Sequence, residues 1–184
     1  MRIAALDCIL LASSRMPSLA ALLLLLVADV PVPHLRPETA TLRALTAQGA
    51  ARSPLVHELI DRLDGTDVVV YVRHRTFGSV LLDGRIGILS AAGGRRYLVI
   101  ELACDRSELV QMATLGHELH HALEIAAEPS IVDSRTLALF YGRIGIRSHP
   151  MGHAQTFETQ AAADMGTRVR HELLTTPARS ANGS

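Results

Sequence analysis

Residues 117–121 read His117-Glu118-Leu119-His120-His121, an H-E-x-x-H pattern in which two imidazoles stand four positions apart with a carboxylate beside the first. On an α-helix that spacing turns both rings to one side, about 40° apart in direction and about 6 Å apart along the axis. Two nitrogens so placed suit a tetrahedral Zn²⁺ site, which a third protein ligand and a water complete when the site is catalytic. Glu118 lies about 100° round the helix from His117. That direction is poor for a further ligand and good for taking a proton from water at the metal, as a general base. His120 points about 100° away from His121 and is expected to be partly exposed or to stand behind the ligands.

The metal geometry requires a helix, and the flanking residues supply its signals. Asp105 and Glu108 form an Asp-x-x-Glu start. Leu109, Met112, Ala113, Gly116, Leu119, Leu123 and Ala127 then recur at helical spacing, and Pro129 stops the run. The predicted helix is about 20 residues long. Gly116 inside it costs about 1 kcal/mol against alanine. Close approach of a neighbouring element behind the site would account for it, and so would simple tolerance.

Other segments predict the elements that position this helix. Ser53-Pro54 followed by Leu55, Val56, Leu59, Ile60 and Leu63 reads as a capped helix ending at Asp64-Gly65. Three strand-like runs follow, at 68–72, at 80–82 leading into 86–89, and at 97–102 after a Gly93-Gly94 turn. Helical patterns return at about 134–144 and 154–174, with a loop from Ser148 to Gly152 between them. The expected class is α+β: a small mixed or antiparallel sheet of about three to four strands packed on the H-E-x-x-H helix, then a helical C-terminal half.

The chain carries 18 Lys and Arg against 18 Asp and Glu, and only 3% of its residues are aromatic. Arg73 and Arg75 flank His74, but with so few rings and no net charge a nucleic-acid surface is not expected. Before Asp29 the charged residues are Arg2, Asp7 and Arg15, and 19–28 is an unbroken apolar run. A basic start before an apolar core of about ten residues reads as a signal peptide or N-terminal anchor over 1–30, since a spanning helix needs about 20. The mature chain is therefore expected to be secreted or periplasmic, with membrane association only through that segment. Pro31, Pro33 and Pro37 predict an extended linker over 31–52, the folded domain covers 53–175, and 176–184 reads as a disordered tail. Cys104 alone remains after export, so no intramolecular disulfide is expected.

With the motif and its setting in view, the chain resembles the zincin metallopeptidases, closely over residues 114–125 and loosely over about 70–175. The likeness is to the gluzincin-like group. It implies one Zn²⁺ ion, a peptide or protein substrate, Glu118 as the base, and a glutamate from a later helix as the third ligand. It also implies that the edge strand before the zinc helix, here Tyr97–Leu102, pairs with extended peptide. Glu124 stands where the metzincin pattern needs glycine, so that branch does not fit. Glu158, on the 154–174 helix beside small residues at 161–163, is the third-ligand candidate alongside His117 and His121. His153, His149 and Glu124 are the alternatives.

Glu124, three residues past His121, could instead orient a ligand histidine through its other ring nitrogen, or simply sit in water. Tyr141, His149 and His153 are candidates by type for stabilising an oxyanion. His57-Glu58-x-x-Asp61 and His171-Glu172 read as solvated helix faces. The expected activity is zinc-dependent peptide hydrolysis. The alternatives are an inactive metal-binding or interaction domain with structural zinc, and metal-dependent hydrolysis of another bond.

Overall fold

A four-stranded sheet, a two-stranded ladder and five helices form an α+β fold in the computed structural model, which describes residues 32–79, 81–147 and 157–176. The expected signal segment 1–30, the loop with His149 and His153, and the tail beyond Thr176 lie outside the described residues. Among the described residues no helix is long and apolar enough to cross a membrane.

The sheet comprises β1 (Leu35–Pro37), β2 (Val68–Arg75), β3 (Gly84–Ala92) and β4 (Arg95–Ala103) in the order β1-β2-β4-β3. β1 and β4 run parallel to β2, while β3 returns antiparallel to β4. Val68, Val70 and Val72 of β2 and Leu98, Ile100 and Leu102 of β4 are fully buried, because strand residues two apart share one face and that face meets the helices. Gly93 and Gly94 close the β3–β4 hairpin with φ of 58° and 72°, a left-handed conformation glycine adopts without strain. The segment expected to be the edge strand, Tyr97–Leu102, is instead part of β4, between β2 and β3. The edge on that side is β3, because the hairpin turns the chain outward before β4 inserts beside β2.

The segment 31–52, expected to be an extended linker, is instead a strand followed by a helix over most of its described length. Its Pro37 ends β1, which pairs with β2, and residues Ala40–Arg52 then form helix α1. Thr39 caps α1, accepting from the Leu42 backbone at 3.2 Å, and Leu42 and Leu45 enter the core. Only two large apolar residues of α1 are buried, too few to stand out beside three prolines.

Helix α2 (Pro54–Asp64) begins at Ser53, which caps it through Val56. Glu172, expected on a solvated face, reinforces that cap: it accepts from Ser53 Oγ at 2.5 Å and from the Leu55 backbone at 3.2 Å. Helix α3 (Glu108–Ala127) has the expected length, with Ser107 as its N-cap in place of Asp105. Its C-terminal carbonyls converge on buried Arg96, whose guanidinium reaches Ile125, Ala126 and Glu128 at 2.7, 3.0 and 2.8 Å and pairs with Asp67. A cation at a helix C-terminus meets the negative end of the dipole, and here it also satisfies carbonyls that the helix leaves open.

Helix α4 (Ser134–Ile144) opens on a capping box at Asp133 and Thr136. Strands β5 (Ile146–Arg147) and β6 (Phe157–Glu158) form a separate two-stranded ladder. Helix α5 (Gln160–Thr175) packs along α3 so closely that a Cβ on Gly116 would lie 2.8 Å from Val169 Cγ2. A Cβ on Gly166 would lie 3.2 Å from His117 Cβ. Gly116 is thus explained by close approach of α5.

Candidate metal centre

His117 and His121 project from α3 toward one point, with ring centroids 4.9 Å apart. Glu158 meets them from another segment. Its Oε2 lies 3.4 Å from His117 Nε2 and its Oε1 lies 3.6 Å from His121 Nε2. The ligand atoms of all three lie within 4.8 Å of one another. Donors bound at about 2.0–2.2 Å to a tetrahedral ion stand about 3.3–3.6 Å apart, a spacing that the two carboxylate–imidazole separations match.

Glu158 does not ride on the first turn of a helix, as its surroundings in sequence predict. It lies in β6, and α5 starts only at Gln160, capped by Thr159. The reason is local: the Thr159 hydroxyl accepts from the Ala162 backbone at 3.2 Å, which ends the helix one residue after Glu158. The extended backbone then aims the carboxylate across at α3.

Glu124 contacts the far ring nitrogen of His121 and is not among the three converging groups. Its Oε2 lies 2.7 Å from His121 Nδ1, and its Oε1 accepts from Thr159 Oγ1 at 2.8 Å. With Nδ1–H donated to a carboxylate, Nε2 carries the lone pair that a metal needs. Tyr141, 4% exposed, brings its hydroxyl 3.1 Å from the same Nδ1 and donates to Glu124 at 3.3 Å. It therefore belongs to the support of His121, on the ring edge away from Glu158. His120 is partly exposed, with Nε2 3.7 Å from Glu124, and its Nδ1 is buried without a partner among the described residues.

Electrostatics separate the groups. Burial raises the Glu118 carboxyl to about 7, with the Glu158 charge adding to the effect and His121 opposing it. Burial also pushes His117 down, against the charge of Glu158. At His121 burial is outweighed by the hydrogen bonds of Glu124 and Glu158, and the ring is raised to about 9. Glu124, despite burial, is held below the usual carboxylate range by His121 and Thr159. Tyr141 is raised by burial first and by Glu124 next.

Glu118 is 5% exposed and faces the start of β3. A Cβ on Gly84 would lie 3.4 Å from Glu118 Oε1, 3.1 Å from the Glu101 carbonyl and only 2.5 Å from Thr114 Cγ2. No larger residue fits there without displacement, so glycine lets the edge strand cross directly over the helix at the acid. Two cavities of about 320 and 690 Å³ meet here, and His117, Glu118 and Glu158 line both.

His149 and His153, the other ligand or oxyanion candidates, lie outside the described residues. His57 and Asp61 form an exposed pair 3.4 Å apart on α2, as a solvated face should. Thr159 and Gly84 have no counterpart in the reading of the sequence. Thr159 carries a signal that could have revealed it, a capping residue directly before the Gln-Ala-Ala-Ala run. Comparison with protein-family models, curated proteins and solved structures returns no match to this chain.

Proposed function

We propose that the chain is a zinc-dependent hydrolase, most simply a small metallopeptidase of the zincin kind acting on a peptide or protein. One observation carries this reading: two imidazoles and a carboxylate from a separate segment converge within 4.8 Å, with a buried acid on the next residue facing the same cavities. His117, His121 and Glu158 would hold the ion. Zinc in such a site supplies a Lewis acid that acidifies water and polarises a carbonyl oxygen.

The rest is the work of the chain's own side chains. Glu118, buried beside the converging ligands and lining the same cavities, is placed to accept a proton from water and return it to the departing amine. Glu124 and Tyr141 engage His121 at Nδ1, so that Nε2, once its proton is displaced, would be the nitrogen presented to the ion. Along the site β3 offers an edge with no described strand on its outer side, where an extended substrate can be held by main-chain hydrogen bonds. The apolar N-terminal segment supports an exported, secreted or periplasmic location.

The test is Glu118→Gln. Peptide hydrolysis should fall roughly 10²- to 10⁴-fold while zinc stays bound, the range for loss of a general base. Hydrolysis at the wild-type rate by folded, zinc-loaded Glu118→Gln protein would overturn the reading.

A further inference from the structure

We propose that the cleft carries a carboxylate-binding subsite, built from Arg85 and Arg73, that selects substrates with an acidic side chain. The proposal rests on the hydrolase reading above for its substrate but not for its binding chemistry.

The larger cavity does not end at the metal-ligand group. The same 690 Å³ space is lined by Arg73, Arg85 and Glu101. These three stand in one row across the sheet, Arg73 of β2 and Arg85 of β3 each directly opposite Glu101 of β4. Arg75 joins them from two residues farther along β2, with Nη1 2.9 Å from Glu101 Oε1. Arg73 Nε donates to the same oxygen at 2.8 Å, and Arg85 Nε donates to Oε2. Three guanidiniums therefore share one carboxylate, a local excess of two positive charges.

Glu101 is 2% exposed, whereas the side chains of Arg73 and Arg85 are both 41% exposed. The anion is sunk beneath the cations. Each guanidinium has five N–H donors in a planar fork, and the bonds to Glu101 use only some of them. What remains is the geometry that receives a second carboxylate in a bidentate way.

The edge strand explains how a substrate would reach both places. Side chains of a strand laid along β3 alternate between the two faces of the sheet. One set turns to the side where Gly84 meets Glu118 on α3. The other set turns to the face of Arg85, which as an edge residue becomes its direct cross-strand neighbour. An acidic side chain in that second set meets Arg85 first and Arg73 behind it. A terminal carboxylate is the other source of the same chemistry.

The test uses four peptides of one sequence, with glutamate or glutamine at each position flanking the cut and with a free or amidated C-terminus. Hydrolysis is followed by wild type, and binding by the inactive Glu118→Gln protein. The glutamate peptide should be preferred roughly 10- to 100-fold over its glutamine twin, the worth of a hydrogen-bonded charge pair. Amidation should leave that ratio in place. Arg85→Gln and Arg73→Gln should each bring the ratio toward one, and Glu101→Gln, which frees both guanidiniums, should raise it.

A preference that follows the free C-terminus instead would assign the arginines to a chain end and overturn the side-chain proposal. Equal use of all four peptides, or loss of thermal stability in the arginine variants with an unchanged ratio, would show a purely structural cluster. Arginine-dependent binding of the glutamate peptide without any cleavage would uphold the subsite and sink the hydrolase reading. Cleavage without acidic preference would do the reverse.

Discussion

Thr159 donates its hydroxyl to Glu124 at 2.8 Å, joining the segment that presents Glu158 to the carboxylate that orients His121. Two of the three candidate ligands are thereby positioned through one hydrogen bond between α3 and the start of α5. The same hydroxyl caps α5 by accepting from Ala162. Thr159→Val keeps the shape and removes both bonds. Zinc affinity, measured by competition with a chromophoric chelator, should fall roughly 10- to 100-fold, the usual cost of losing a group behind a ligand histidine. Thr159→Ser should restore it. Were the hydroxyl a helix cap alone, Thr159→Val would lower stability by about 1 kcal/mol and leave the affinity of the folded protein unchanged.

Gly116 sets helix propensity against packing. Alanine at a helical glycine gains about 1 kcal/mol. Here its Cβ would come 2.8 Å from Val169 Cγ2 and 3.2 Å from Val169 Cγ1, and overpacking of that kind costs about 1–3 kcal/mol. Packing wins, so Gly116→Ala should be less stable than wild type in urea unfolding. Val169→Ala alone leaves a cavity. The double variant Gly116→Ala, Val169→Ala should be more stable than the sum of the single changes implies. Strict additivity would show that the two residues do not meet.

Acid should reveal Glu101. Burial favours its neutral form, but hydrogen bonds from Arg73, Arg85 and Arg75 outweigh burial and hold the carboxyl below its ordinary value. A carboxylate with a lower pKa folded than unfolded adds stability above the unfolded value, near about 4.3, and loses it as pH falls through the folded value. The stability difference between wild type and Glu101→Gln should therefore be constant from about pH 5 to 7 and shrink progressively below about pH 4. Urea midpoints across that range measure it. A difference that stays flat to the lowest pH, or widens there, would contradict the assignment.

Helix α3 was legible in sequence because its histidine spacing, apolar period and terminal signals agree over one uninterrupted stretch. Strands β2 and β4 were legible for a similar reason, as runs of Val, Leu and Ile closed by turn residues. What escaped depended on contacts distant in the chain. Nothing within Tyr97–Leu102 says that β4 inserts between β2 and β3, since strand order is decided by pairing partners. Helix α1 escaped because its buried face holds little beyond Leu42 and Leu45, which find their partners in the assembled core. Glu158 was identified as a ligand candidate but placed on a helix, because the Thr159 cap that stops α5 is one hydroxyl competing with a helical pattern. The Arg73–Glu101–Arg85 row was invisible for the same reason, being formed across three strands.

In the proposed site His117, His121 and Glu158 together hold one ion with a position left for water. X-ray absorption spectroscopy of the zinc-loaded protein, with metal content measured on the same sample, addresses it directly. One zinc per chain is predicted, in a shell of two imidazole nitrogens at about 2.0–2.1 Å and oxygen donors at about 2.0–2.2 Å. The outer-shell imidazole scattering should halve in His121→Ala. Substoichiometric zinc, or a shell with three or more imidazoles, would contradict it.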